Sequence, residues 1–270
     1  MFRTRLAYGL EPQQFGHLYL PAAEAVTAPV PVVMIVHGGS WHGRYHLNLG
    51  TALAVELARR GLVAWNIEYR RLEAGGAWPE MSADLRAAFE AIFTLVVPHA
   101  HSAGIEVDPA RVRLVGHSAG GQLAVWLAGE NTSVRPEFVV SQAGALDLVT
   151  AGEHGRRVPQ FEALFGVPFD EAPELYRSAS PAHRVPTGIP VAVLHGTADV
   201  QVPVSVAHRY AEGARAVGDP VVLELFEGED HVAFLDRTTR SWERSLELLT
   251  APSAGDTDGL GRRSVDPAGQ

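Results

Sequence analysis

The chain has 270 residues, 46% hydrophobic and 20% charged, with a formal net charge of -9. That balance describes an ordinary globular protein and gives no footing for nucleic acid or an anionic membrane surface. All 22 basic residues are arginine and cysteine is absent, which excludes Schiff-base and Ser–Lys chemistry, thiol catalysis, disulfides and cysteine-ligated metal.

The N-terminal stretch has no long apolar core followed by a small-residue cleavage site, so no signal peptide is read. No segment approaches the roughly 20 apolar residues that span a bilayer. A cytoplasmic chain without membrane attachment is expected. From about Val30 the elements alternate. "VPVVMIVHGG" has the form of a buried parallel strand ending in glycines. Leu53 and Leu57 recur at helical spacing until Gly61, and "LVAWNIEYR" is the next strand. Met81, Leu85, Phe89, Ile92 and Val96 mark one face of a long amphipathic helix. Asp108-Pro109 turns the chain into the strand "RVRLVG", and a helix follows Ser118. "EFVVSQAG", "VAVLHGT" and "VVLELFEG" are further strands. "SVAHRYAEGARAVG" is helical, and a last helix is expected from Phe234 to Leu249.

Such alternation predicts right-handed crossovers and an α/β fold, with a mostly parallel central sheet and helices on both faces. The rhythm breaks between about 145 and 190, where Pro, Gly and charged residues accumulate. A small cap inserted into a single domain over residues 1–250 is expected there. Residues 251–270, rich in Gly, Ser, Asp and Pro, are expected to be a disordered tail.

Gly116-His117-Ser118-Ala119-Gly120 matches G-x-S-x-G between an expected strand and helix. There a strained strand-to-helix turn exposes the serine, and small neighbours let the backbone close. The alternative is a serine that only caps the helix on a Gly-rich turn. A serine hydroxyl is a weak nucleophile at neutral pH, so a base must take its proton and an acid must orient that base. Downstream, "VAVLHGTADVQVP" places Asp199 beyond one strand, and "LELFEGEDHVAFL" places His231 beyond the next. Both fall where open α/β sheets hold their sites, at the carboxyl ends of strands. Asp230 adjoins His231 and competes weakly as the acid, because neighbours on a turn project apart. His195 is read as a packing residue. His42 and His46 lie four apart but lack a third ligand, so no metal and no cofactor is assigned. Arg70-Arg71 and Arg156-Arg157 read as solvated faces, although the pair in the cap could hold a substrate carboxylate. "HGGSW", His37 to Trp41, supplies glycines where an oxyanion hole needs close backbone approach.

Together, "HGGSW", "GHSAGGQLAVWLA", "LHGTADVQVP" and "EDHVAFL" resemble the α/β-hydrolase superfamily over nearly all of 30–249. HGGSW is similar to the HGGxW motif of kynurenine formamidases and related esterases. The resemblance implies Ser118 as nucleophile, Asp199 as acid and His231 as base. It implies oxyanion donors at Gly39, Ser40 and Ala119, with Trp41 at the substrate. The expected function is hydrolysis of a small carboxylic ester or aryl formamide through an acyl-enzyme. Trp41, Trp78, Phe161 and Phe165 are candidates to receive an aromatic leaving group. A general carboxylesterase without formamidase activity, an acyltransferase and a non-catalytic ligand-binding homologue remain as alternatives. The expected partner is a small molecule. The oligomeric state stays open, a homodimer included.

Overall fold

A computed structural model describes residues 2–26 and 29–252. All but the first two residues of the expected tail lie outside the described residues. Eight strands form one sheet in the order β1-β2-β4-β3-β5-β6-β7-β8. They are β1 (Phe2–Ala7), β2 (Phe15–Leu20), β3 (Val30–Val36), β4 (Val63–Ile67), β5 (Val107–His117), β6 (Phe138–Gln142), β7 (Val191–Gly196) and β8 (Val221–Phe226). β1 pairs antiparallel with β2, and β2 antiparallel with β4; the others pair in parallel. The helices are α1 (Thr51–Arg59), α2 (Glu80–Ala91), α3 (Val97–Ser102), α4 (Ala119–Ala128), α5 (Thr150–Glu153), α6 (Pro159–Phe165), α7 (Pro173–Ala179), α8 (Val204–Ala216) and α9 (Arg240–Thr250).

β3 shows why the middle of the sheet is nearly all apolar. Val32, Met34 and Val36 belong to one core, with Met81, Leu85 and Phe89 of α2 and Leu123 and Leu127 of α4. Val33 and Ile35 belong to the other, with Leu53 and Leu57 of α1 and Trp242, Leu246 and Leu249 of α9. Successive side chains point to opposite faces, so a strand covered by helices on both sides must be apolar at every position. The two N-terminal strands are the exception. Residues along β1 alternate between exposed and half-buried, as an edge strand does.

β5 begins at Val107, so Asp108-Pro109 lies inside the strand rather than turning the chain before it. β1 and β2 add a hairpin that the sequence reading lacks. Two helices also differ from their reading. The last helix begins at Arg240 rather than Phe234, because a short 3₁₀ turn occupies Ala233–Leu235 and Asp236 turns the chain. Thr239 then caps the helix, its side chain accepting from Trp242 N–H. The long helix around Phe89 passes through a π-helical turn, Ile92–Val96, before continuing as α3. Between β6 and β7 the chain forms the short helices α5, α6 and α7. No helix among the described residues is long and apolar enough to cross a membrane.

Candidate active site

Ser118 stands between the end of β5 and the start of α4 with φ 56 and ψ -120. Few non-glycine residues adopt such a backbone, and it is costly unless its surroundings fix it. Ser118 N–H donates to Gln142 O at 2.8 Å, and Ser118 O accepts from Gln122 N–H and Ala145 N–H at 3.2 Å. A Cβ on Gly116 would lie 2.1 Å from Gly120 O, and one on Gly120 would lie 2.1 Å from Val36 O. The glycines of the motif therefore let α4 pack directly against β5 and β3.

Asp199 follows β7, and His231 follows β8. His231 Nδ1 and Asp199 Oδ2 are 2.7 Å apart, and both side chains are almost wholly buried. Asp199 Oδ1 accepts from the N–H groups of Gln201 and Val202 at 2.8 and 2.9 Å. Burial disfavours the charged carboxylate more than any single contact favours it. Bonds from His195, His231 and Val202 N–H together nevertheless hold Asp199 well below the usual carboxylate range. With its Nδ1–H directed to Asp199, His231 presents Nε2 as an acceptor. Asp230 is engaged elsewhere, accepting at Oδ1 from Val232 and Ala233 N–H. His195 is fully buried, with Nε2 2.9 Å from Val202 O and 3.2 Å from Asp199 Oδ2.

HGGSW, after β3, takes an unusual path. Gly39, Ser40 and Trp41 all have positive φ, at 121, 50 and 62°. A Cβ on Gly38 would come 2.6 Å from His117 O and 3.0 Å from Ser118 Cβ, so the loop lies directly against the elbow. Among the described residues no acceptor is bonded to the N–H groups of Gly39, Ser40 or Ala119. Beneath the loop, His37 stacks on Tyr69 at 4.5 Å and reaches Glu68 Oε1 at 2.8 Å. Tyr69 OH donates to His37 O at 2.8 Å. His37 Nδ1 faces Gly38 O at 2.7 Å, and burial pushes the ring down to about 3. Trp41 Nε1–H donates to Gln122 Oε1 at 3.2 Å, and Gln122 Nε2–H to Ala179 O at 2.8 Å. Gln122 thus ties the loop, α4 and the end of α7 together.

Ser40, Trp41, Ser118, Ala119, Phe161 and His231 line one cavity of about 670 Å³, within the roughly 300–1,000 Å³ of small-molecule sites. Trp41 and Phe161 meet edge to face at 6.0 Å. The other two aromatic candidates point away: Trp78 packs on Trp126 at 4.9 Å, and Phe165 on Tyr176 at 4.0 Å. Both fill the core rather than the cavity.

Arg70 and Arg71 also differ from their reading as solvated residues. Arg70 binds the buried Asp84 through Nε and Nη2 at 2.7–3.2 Å, and Arg71, 5% exposed, pairs with Glu68. A carboxylate buried beside each draws its guanidinium inward. His42 Nδ1 meets Glu73 Oε1 at 3.0 Å, and among the described residues no three His, Cys, Asp or Glu side chains form a metal-ligating group. Sequence reasoning missed Gln122, Glu68 and His117. His117 Nε2–H donates to the carbonyl of His231 at 2.8 Å. A polar residue within the otherwise apolar run after Ser118 was the available signal for Gln122.

The eight-stranded, mostly parallel sheet, with its elbow after β5 and its acidic and imidazole groups after β7 and β8, defines an α/β-hydrolase fold. The fold is shared with a truncated carbohydrate esterase from gut microbiota (TM-score 0.76, 18% identity, 92% of this chain and 95% of that one). It is shared too with the propionate-bound esterase Est2 of Thermogutta terrifontis (TM-score 0.71, 22% identity, 99% and 97%). Residues 17–212 match the BD-FAE family, and the chain belongs to it. It is 25% identical to isoprenylcysteine alpha-carbonyl methylesterase ICME of Arabidopsis thaliana, over 98% of this chain and 65% of that protein. It is 30% identical to esterase LipC of Mycobacterium tuberculosis, over 83% of this chain and 58% of that protein. The chain thus spans about three-fifths of the length of these two relatives.

Proposed function

We propose that the chain is a serine hydrolase that cleaves a small carboxylic ester, or an aryl formamide of the N-formylkynurenine type, through an acyl-enzyme. The observation that carries this is His231, bonded to the buried Asp199 at 2.7 Å and lining one cavity with a serine held at φ 56. His231 Nε2 takes the Ser118 proton as Oγ attacks the carbonyl carbon. The tetrahedral oxyanion lies against the N–H groups of Gly39, Ser40 and Ala119, each such donor being worth about 3 kcal/mol. Asp199 fixes the tautomer and stabilises the imidazolium. The intermediate then collapses: the C–O or C–N bond breaks, and His231 returns the proton to the leaving group. Water, deprotonated by His231, attacks the acyl-enzyme; the carboxylic acid departs and Ser118 regains its proton.

The named esterases among the relatives favour an ester over a formamide, which rests on the resemblance of HGGSW alone. Trp41 at the cavity suits an aromatic or apolar group on either side of the scissile bond. Comparing kcat/KM for 4-nitrophenyl acetate and N-formylkynurenine, in wild type and Ser118→Ala, tests the reading. Ester turnover lost in Ser118→Ala is expected. Formamide turnover within about ten-fold of the ester would favour the formamidase, and turnover undiminished in Ser118→Ala would overturn the mechanism.

A further inference from the structure

We infer that the catalytic cavity contains a subsite for a carboxylate of the substrate, with Arg156 as its cation. The inference rests on the hydrolase reading above and names the substrate class: an ester or amide bearing one further negative charge.

Three arginines line the cavity: Arg156, Arg157 and Arg209. Two are neutralised. Arg209 Nε–H donates to Asp147 Oδ2 at 2.6 Å, and Arg157 donates twice to Glu162 at 2.5 Å. Among the described residues the guanidinium of Arg156 has no hydrogen bond, ion pair or ring contact. The lining thus keeps one uncompensated positive charge in a chain whose net charge is -9. Asp199 does not cancel it, being satisfied by His231 and two backbone N–H groups.

The backbone that carries Arg156 is anchored. Asp147 Oδ1 accepts from the N–H groups of Val149 and Thr150 at the start of α5, while Oδ2 binds Arg209 of α8. After α5, Gly155 turns with φ 66, and Arg156 N–H donates to Ala151 O at 2.9 Å. The residue therefore stands on a short turn tied to the catalytic end of the sheet.

Arg156 also lines a second cavity, of about 400 Å³, in the cap beside Phe169 and Tyr176. A substrate whose reacting carbonyl sits at Ser118 and whose far end points into the cap passes this guanidinium. A planar guanidinium binds a carboxylate through two parallel N–H bonds. Glu162, Asp170 and Glu171 line the same cap cavity, so a single charge suits the site better than the two charges of a phosphate monoester.

The test compares wild type with Arg156→Gln on two matched pairs of substrates. With the charge on the acyl side, the pair is 4-nitrophenyl hydrogen glutarate and 4-nitrophenyl pentanoate. With the charge on the leaving group, it is 3-carboxyphenyl butyrate and phenyl butyrate. In one pair the ratio of anionic to neutral kcat/KM is expected to fall about ten-fold in Arg156→Gln, the size of one charge-assisted contact. It is expected to fall further in Arg156→Glu, and added NaCl should lower the wild-type ratio. The pair that responds tells which side of the scissile bond carries the carboxylate. Unchanged ratios in both pairs, with the neutral esters still hydrolysed, overturn the subsite and leave the hydrolase reading intact. If no ester is hydrolysed the hydrolase reading fails, and calorimetric titration with benzoate and benzamide decides the subsite. Benzoate binding that weakens in Arg156→Gln supports it; no preference of the wild type for benzoate over benzamide overturns it.

Discussion

Around Ser118 the backbone leaves no space for a side chain: Cβ atoms on Gly116 and Gly120 would collide with main-chain oxygens at 2.1 Å. In the cap, Gly155 and Gly166 also turn the chain with positive φ, yet a Cβ there would meet nothing within 4 Å. The elbow is set by contacts between main chains. The segment between β6 and β7 is anchored instead by side chains such as Leu164, Phe165 and Tyr176 in the core, and carries surface ion pairs such as Arg157–Glu162 and Arg177–Glu153. Groups placed at the elbow keep their geometry, while the segment between β6 and β7 is free to vary. The groups proposed for catalysis and for specificity therefore lie in parts of the molecule with very different tolerance to change.

The contrast is tested most severely at Gly120. Gly120→Ala should cost about 3 kcal/mol or more, or prevent folding, because the colliding atom is backbone and cannot rotate away. Chemical denaturation measures this, and a Gly120→Ala protein of wild-type stability would refute the packing argument. Acid should weaken the same region. Burial pushes His117 down to about 4. With Nε2–H on His231 O and no partner at Nδ1 among the described residues, His117 is neutral in the folded protein, whereas it takes up a proton near 6.5 when unfolded. Stability is therefore greatest above that value and falls as pH drops towards about 4, by an amount on the order of 3 kcal/mol for His117. Asp199, whose carboxyl is held low, adds a loss only at more acid pH. Urea midpoints against pH should show this slope, and His117→Gln should reduce it. A slope identical in His117→Gln would show that the ring plays no part.

In the cap the effects should shrink. Gly155→Ala should cost about 1 kcal/mol, the strain of a left-handed residue with open space around it. The denaturation midpoint measures it, and a loss as large as that of Gly120→Ala would erase the distinction. Arg157→Gln removes one half of a surface pair and should leave Tm unchanged, as exposed ion pairs commonly do. A clear fall in Tm would show that the pair holds the cap.

The central sheet was legible because buried parallel strands are apolar over most of their length, as β3 is throughout and β7 is over Val191–Leu194. The grouping of Ser118, Asp199, His231 and HGGSW followed from their position after strand-like runs. β1 and β2 escaped notice because an edge hairpin mixes Arg3, Arg5 and His17 with its apolar residues and has no tight two-residue turn. Arg71 and Glu68 lie only three residues apart, but their burial beside His37 of the loop after β3 is a long-range contact that no local pattern encodes. The start of α9 was misplaced because Phe234 and Leu235 continue the apolar spacing, while Asp236 and Thr239 form the turn and the cap.

The most direct measurement is the intact mass of the protein after treatment with a fluorophosphonate, followed by peptide mapping. Activation of Ser118 by His231 and Asp199 predicts one phosphonyl adduct, located on Ser118, absent from Ser118→Ala and strongly slowed in His231→Ala. Folded wild-type protein that takes up no label, or carries it on another residue, would contradict the proposed role of Ser118.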